Sequence, residues 1–148
     1  MTSPQLARIL HVDDEPGILA IAAFALKKLG GYEVLSCGDS RQAVEKARSF
    51  KPDLVLLDVM MPFQDGTQVF AALRAEPETR DIPVVFLTAK VQPREVQGLI
   101  ATGADGVLSK PFDPAQLCKS LEAVWQARLE SRANGGVTKA SEPPINLQ

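Results

Sequence analysis

Five short apolar runs, separated by segments with helical spacing, constrain the fold of this chain more than any other feature. Most of the runs are apolar throughout rather than alternating, which is typical of strands covered on both faces of a sheet. They span residues 7–12, 32–37, 53–57, 82–87 and 106–108. Strict alternation of strands and helices predicts right-handed crossovers, and hence an α/β domain with a doubly wound, five-stranded parallel sheet.

The segments between the apolar runs show the residue spacing of amphipathic helices. The first helix is predicted to begin at Pro16, which suits a first helical turn, and to stop at Gly30. The last helix is predicted to begin after Asp113, whose carboxylate can accept from backbone N–H groups while Gln116 reaches back as in a capping box. Three further helices are predicted over residues 43–50, 67–75 and 94–101. The predicted order is βαβαβαβαβα.

The C-terminal segment differs in composition from the rest of the chain. Beyond about Arg132 the sequence is rich in Gly, Pro, Ser and Asn and has no apolar period. We therefore predict one domain over residues 1–131 and a flexible tail over residues 132–148, with no output domain attached.

Composition and charge argue against several classes of protein. The 16 Lys and Arg against 18 Asp and Glu give a net charge of −2, too near neutral for phosphate attraction to drive binding, so no direct nucleic-acid partner is expected. Cys37 and Cys118 form no CxxC pair, which argues against a disulfide framework or a four-ligand zinc site. No signal peptide is evident, and no apolar stretch approaches the roughly 20 residues that span a bilayer. The sequence thus predicts a cytoplasmic protein without membrane insertion.

Polar residues follow the predicted strands at one edge of the sheet. In a doubly wound sheet, ligands bind at the carboxyl ends of the strands. These positions hold three carboxylates, a hydroxyl and an ammonium: Asp13, Asp14, Asp58, Thr88 and Lys110. Clustered carboxylates raise one another's pKa unless a cation compensates. Lys110 and Mg²⁺, which prefers oxygen ligands, would both serve, so the pattern favours a phosphoryl site over a zinc or thiol site.

Two residues beside this set have mainly structural interpretations. His11, the single histidine, lies inside the first apolar run and is predicted to be a packed, hydrogen-bonded core residue. Glu15 is predicted to favour the first helix through its dipole, with a water-mediated metal contact as the alternative.

Four segments, in order and in register, together resemble one known family. They read ILHVDDEP, PDLVLLDVMMPFQDG, VVFLTA and GVLSKPF, and the resemblance covers roughly residues 7–129. The family is the receiver domain of two-component response regulators, and the chain is similar to its single-domain chemotaxis type. The resemblance implies a (βα)5 flavodoxin-like receiver fold and a phosphorelay signalling function.

The resemblance assigns a role to each strand-end residue. It implies that Asp58 is the phospho-acceptor, whose carboxylate takes a phosphoryl group from a sensor histidine kinase or a histidine phosphotransfer protein. It also implies that Mg²⁺ is held by Asp13, Asp14, Asp58 and the backbone carbonyl of Met60. Phosphoryl transfer depends on positioning and charge neutralisation, which agrees with a metal and an ammonium at this edge.

The remaining implied roles concern the consequences of phosphorylation. Thr88 would bond the new phosphoryl oxygen, Lys110 would pair with the phosphoryl group, and the Lys110–Pro111 peptide bond is expected to be cis. The anion would bias a two-state equilibrium that a downstream protein reads at the face of the fourth helix, fifth strand and fifth helix. We expect a monomer or a phosphorylation-dependent dimer, and no enzyme activity beyond self-phosphorylation and self-dephosphorylation.

Three positions bear on how this chain departs from the family pattern. Val107 stands where the family usually has an aromatic ring that swings inward on activation, so aromatic switching is not expected there. Met60 and Lys90 occupy positions that, in the family that the chain resembles, tune how readily water reaches the aspartyl phosphate. The bulky, apolar Met60 is expected to slow its hydrolysis.

Two other functions compete with this interpretation. One is a pseudo-receiver, an interaction module whose switch works without phosphorylation; the intact set of strand-end residues argues against it. The other is a Mg²⁺-dependent phosphohydrolase of the haloacid-dehalogenase kind, which needs a second acid two residues after its nucleophile. Met60 stands at that position after Asp58, so no acid is available there to protonate a leaving group.

Overall fold

Strands and helices alternate along the chain as the apolar pattern predicts. The computed structural model describes residues 4–89, 92–133 and 145–146. The first five strands are β1 (Arg8–Val12), β2 (Glu33–Cys37), β3 (Leu54–Asp58), β4 (Val84–Thr88) and β5 (Gly106–Ser109). The helices are α1 (Pro16–Phe24), α2 (Ala43–Phe50), α3 (Gly66–Ala75), α4 (Pro93–Ala101) and α5 (Pro114–Ala133).

The five predicted strands form one parallel sheet in the order β2-β1-β3-β4-β5. The predicted doubly wound α/β architecture is therefore confirmed. A sixth strand, β6 (Ile145–Asn146), pairs in parallel with Gly106 and Val107 at the β5 edge, which the sequence did not predict. Helix α5 runs to Ala133, two residues beyond the predicted domain boundary. Apart from β6, the tail beyond Ala133 lies outside the described residues, so its flexibility stays a prediction.

Helices cover the sheet on both faces, which explains why most of the strands are apolar on both sides. On one face, Leu57 and Phe86 pack with residues of α2, α3 and α4. On the other face, Leu56 and Leu87 pack with residues of α1 and α5. All four of these strand residues are fully buried. Within the described residues, no helix is both long and apolar enough to cross a membrane.

Two short helical segments lie in the connections between the sheet and its helices. A π-helical turn (Ala25–Leu29) continues α1, and Gly30 ends it as the sequence predicts. Gly31 then adopts a φ of +74°, a conformation that glycine accepts without strain. Between β2 and α2, a 3₁₀ turn (Ser40–Gln42) is capped by Asp39, whose side chain accepts from the backbone N–H of Arg41. The loop after β2 is thereby fixed close to the carboxyl end of the sheet.

Candidate functional site

Backbone hydrogen bonds fix the polar residues at the carboxyl edge of the sheet. Asp58 and Thr88 are the last residues of β3 and β4. The amide of Asp13 donates to Cys37 (3.0 Å), and the amide of Lys110 donates to Thr88 (2.8 Å). These two bonds continue the strand pairing by one step beyond β1 and β5. Asp13 and Lys110 are therefore held as firmly as the strand residues themselves.

Three aspartates converge at this edge. Asp13, Asp14 and Asp58 each present one carboxylate oxygen, and these oxygens lie within 4.8 Å of one another. Asp13 is fully buried and Asp58 is 2% exposed, whereas Asp14 is the most accessible of the three. Oxygen ligands at this separation, open to solvent on one side, suit a divalent cation that keeps some of its water.

Lys110 supplies the positive charge of the cluster. Its Nζ lies 3.2 Å from Asp13 Oδ2 and 3.1 Å from Asp58 Oδ1. It also lies 3.1 Å from Glu15 Oε1, which is an exposed partner and contributes little to stability. The Lys110–Pro111 peptide bond is cis, as expected.

The environment shifts the pKa values of these groups in opposite directions. Burial, together with the charge of Asp13, raises the pKa of Asp58 to about 6. Burial also acts to raise the pKa of Asp13, but hydrogen bonds and the charge of Lys110 outweigh it, so this pKa lies below its usual value. Burial acts to lower the pKa of Lys110, but its hydrogen bond to Asp58 and the nearby carboxylates raise it instead. Lys110 is therefore an ammonium at neutral pH, and Asp58 is the carboxylate whose charged form the site disfavours most.

The carboxylate chemistry fits a divalent cation. Among the described residues, none forms a well-aligned hydrogen bond to the buried Oδ2 atoms of Asp13 and Asp58, although the Lys110 ammonium lies near that of Asp13. One ammonium faces three aspartates, so the cluster carries excess negative charge in a partly desolvated place. A hard cation bound by oxygen ligands would satisfy both the charge and these oxygens.

The structure brings together most of the residues that the sequence predicts for the site. Asp13, Asp14, Asp58 and Lys110 form one cluster. Thr88 is buried at the end of β4 and pairs in register with Ser109, which places its hydroxyl group at the same edge. The loop after β3 carries Met60, whose side chain is 56% exposed.

Three other expectations meet different outcomes. His11 is fully buried as predicted, but among the described residues no well-aligned hydrogen bond reaches either ring nitrogen. Its Nε2 lies 3.7 Å from Asp13 Oδ2.

Glu15 is the N-cap residue of α1, but its side chain contacts Lys110 instead of capping the helix. Val107 is buried in β5, and Lys90 lies outside the described residues.

Sequence reasoning missed the residues that shape the loop between β3 and α3. Asp65 and Gln68 form a complete capping box at the start of α3. Gly66 donates to the carbonyl of Val59 (2.8 Å), and a Cβ at Gly66 would overlap the backbone of Asp58. Only glycine permits this close approach. The spacing of Asp65 and Gln68 matches that of Asp113 and Gln116, so this signal was present in the sequence.

The site is a strand-end cluster of acids with one lysine on a doubly wound parallel sheet, and its oxygen ligands are compatible with a divalent cation. The model of the response regulator receiver domain matches residues 9–122 of the chain. The chain therefore belongs to the response regulator receiver family, a family of signalling domains. This confirms the resemblance drawn from the four sequence segments.

Individual relatives agree with this assignment. The chain is 42% identical over 120 residues to the phosphate regulon transcriptional regulatory protein PhoB of Klebsiella pneumoniae, covering 80% of this chain and 52% of that protein. It is 36% identical over 117 residues to the alkaline phosphatase synthesis transcriptional regulatory protein PhoP of Bacillus subtilis, covering 79% and 48%. The chain thus spans about half the length of the curated relatives it matches.

Solved structures share the fold over nearly their whole length. The chemotaxis response regulator CheY4 of Vibrio cholerae matches with a TM-score of 0.75 and 35% identity, covering 81% of this chain and 99% of that one. A response regulator from Desulfuromonas acetoxidans matches with a TM-score of 0.76 and 28% identity, covering 82% and 98%. The architecture is that of a flavodoxin-like receiver domain.

Proposed function

We propose that this domain is a phospho-accepting switch, in which Asp58 takes a phosphoryl group from a phosphohistidine of a sensor kinase or phosphotransfer protein. The observation that carries the proposal is the position of the Asp58 carboxylate. It is buried at the end of β3, 3.1 Å from the Lys110 ammonium and within 4.8 Å of carboxylate oxygens of Asp13 and Asp14. An anionic acceptor beside a fixed cation is what phosphoryl transfer requires.

In the transfer step, an Asp58 carboxylate oxygen forms a bond to phosphorus while the phosphorus–nitrogen bond of the donor histidine breaks. The electron pair of that bond returns to the imidazole. Lys110 stabilises the charge on the phosphoryl oxygens, and Asp13 holds Lys110 in place through its buried ion pair. Mg²⁺, held by Asp13, Asp14, Asp58 and the Met60 carbonyl, would neutralise further negative charge. Each chain residue acts by position and charge, with no second acid or base involved.

The proposed output is a change in protein contacts. Thr88 is the last residue of β4, which lies between β3 and β5. A movement of its hydroxyl group toward a phosphoryl oxygen would therefore change its contacts with β5. The proposed reading surface is the face of α4, β5 and α5, which a downstream protein contacts. Because Val107 is buried and lacks a ring, the proposed switch acts chiefly through Thr88.

Phosphoryl acceptance is tested by intact mass spectrometry of the whole chain after incubation with acetyl phosphate and Mg²⁺. We expect one phosphoryl adduct, no adduct when a chelator replaces the metal, and a tight complex with beryllofluoride. If the chain forms neither an adduct nor a beryllofluoride complex, the proposal is overturned in favour of a pseudo-receiver. Turnover of ordinary phosphate esters would instead support the phosphohydrolase.

Met60→Asn is expected to shorten the lifetime of the phosphorylated protein by about threefold or more. The apolar side chain of Met60 stands two residues after Asp58 and shields the aspartyl phosphate, whereas a shorter amide admits and orients water. A threefold change corresponds to about 0.7 kcal/mol in the hydrolysis barrier. The measurement is the decay of the adduct after removal of acetyl phosphate.

The matched control for this change is Leu29→Asn. Leu29 is as exposed as Met60 but lies in the π-helical turn at the opposite end of α1 from Asp13. Its variant should keep the wild-type lifetime, and an unchanged lifetime in Met60→Asn would contradict the shielding role.

A further inference from the structure

The loop between β3 and α3 contains a strained turn at Phe63. The amide of Gln64 donates to the carbonyl of Pro62 (2.9 Å), and Phe63 between them has a φ of +70°. An i to i+2 hydrogen bond around a residue with positive φ defines the rare form of the γ-turn. A bulky residue holds such a conformation only when its surroundings impose it.

Ser40, in the loop after β2, holds both ends of this turn. Its hydroxyl group donates to the Pro62 carbonyl (3.0 Å) and accepts from the Gln64 amide (3.4 Å). Ser40 is 4% exposed, so these bonds form away from water. Loss of the hydroxyl would leave the polar groups of the turn with poorer hydrogen bonding in a nearly dry place.

Arg41, the next residue, covers the turn from outside. Its guanidinium lies 3.8 Å from the centroid of the Phe63 ring. The guanidinium is itself held by Asp39, which accepts from Nε (3.0 Å) and from Nη2 (2.9 Å). Phe63 is 72% exposed, so the stacked arginine is a main contact of a side chain that would otherwise extend into solvent.

The same loop is fixed at its base by Gly66, which donates to Val59 next to Asp58. Met60 lies between this base and the turn at Phe63. A cleft of about 110 Å³, lined by Asp14, Ser40 and Phe63 among others, places the turn directly beside the acidic cluster. Two hydrogen-bonded anchors thus flank the Met60 backbone, Gly66 on one side and Ser40 on the other.

We propose that Ser40 is a positioning residue of the Mg²⁺ site: by holding the strained turn at Phe63, it fixes the backbone of the loop that presents Met60 to the metal. Arg41 assists by stacking on Phe63. The inference rests on the proposed function, since it concerns the metal that function needs. Ser40 touches neither the metal nor the phosphoryl group and acts only through the loop.

The test is the Mg²⁺ affinity of the full chain, measured by titration calorimetry, together with hydrogen exchange of the Gln64 amide. Ser40→Ala should bind Mg²⁺ roughly three- to tenfold more weakly, the equivalent of one lost buried hydrogen bond, and its Gln64 amide should exchange faster. Arg41→Ala, at an exposed position, should weaken binding by a smaller factor. Ser49→Ala is the matched control, because in the described part of the chain its hydroxyl group bonds only within α2, to Lys46 (3.3 Å).

A rescue variant separates positioning from a general loss of stability. Glycine accepts positive φ without strain, so adding Phe63→Gly to Ser40→Ala should restore part of the Mg²⁺ affinity, even though it also removes the ring on which Arg41 stacks. A purely structural role for Ser40 predicts no such recovery.

The outcomes distinguish this inference from the proposed function. If the wild-type chain binds no Mg²⁺, the proposed function fails and the inference with it. If the wild-type chain binds Mg²⁺ and Ser40→Ala binds it as tightly as Ser49→Ala does, the positioning role alone is overturned. The positioning role is also overturned if Ser40→Ala binds Mg²⁺ more weakly and adding Phe63→Gly to it restores none of the affinity.

Discussion

Asp58→Asn is expected to abolish phosphoryl acceptance completely while the chain still folds. The amide has nearly the shape of the carboxylate but is not a nucleophile toward phosphorus. Asp58 is the last residue of β3 and is 2% exposed, so the replacement keeps the strand and its packing. Intact mass spectrometry with acetyl phosphate and Mg²⁺ should show no adduct in this variant under conditions that label the wild-type chain.

Asp113→Asn is the matched control for the loss of one carboxylate. Asp113 caps α5 by accepting from the Gln116 amide (3.0 Å), and asparagine caps helices equally well. This variant should be labelled as the wild-type chain is. Labelling that persists in Asp58→Asn, or that maps to another residue, would show that Asp58 is not the acceptor.

The strands and the acidic cluster could be predicted because their causes are local in the sequence. Both faces of the sheet are covered, so most strands are nearly continuous apolar runs that end at or just before a polar residue. The predicted third strand, 53–57, is shifted by one residue from the observed Leu54–Asp58, because Asp58 itself completes the pairing with β4. Parallel strands bring their carboxyl ends together, and this alone placed Asp58 near Asp13 and Lys110.

Contacts between distant segments could not be predicted in this way. Asp105 is 6% exposed and accepts from the Val84 amide (2.9 Å), while Arg128 (2.6 Å) and Arg74 (3.4 Å) contact its carboxylate. Its partners come from three different elements, and no spacing in the sequence relates them. Ser40 is similar, because its importance depends on a turn more than 20 residues away.

Asp58→Asn is also expected to stabilise the metal-free protein at pH 7, by up to about 3 kcal/mol. The pKa of Asp58 is raised from 3.8 to about 6, mainly by burial and then by the charge of Asp13. At pH 7 the folded protein therefore holds an unfavourable buried charge that the unfolded chain does not, and one pKa unit corresponds to about 1.4 kcal/mol. Urea unfolding in chelator measures the difference.

This stabilisation should depend on pH in a defined direction. A raised pKa means that the folded state binds the proton more tightly than the unfolded state between about pH 6 and 3.8. The wild-type chain thus gains stability relative to Asp58→Asn as the pH falls through this window, and the advantage of the variant disappears near its lower end.

Mg²⁺ should remove much of the difference in the free energy of unfolding between Asp58→Asn and the wild-type chain at pH 7. The wild-type chain gains free energy by binding the cation, and Asp58→Asn, with one anionic ligand fewer, gains less. The two unfolding curves should therefore approach each other as Mg²⁺ is added. An advantage of Asp58→Asn that stays constant from pH 7 to 4 and is insensitive to Mg²⁺ would show that the repulsion at Asp58 is not its cause. In that case Lys110 alone would compensate the acidic cluster, and the carboxylates would need no metal to share this edge of the sheet.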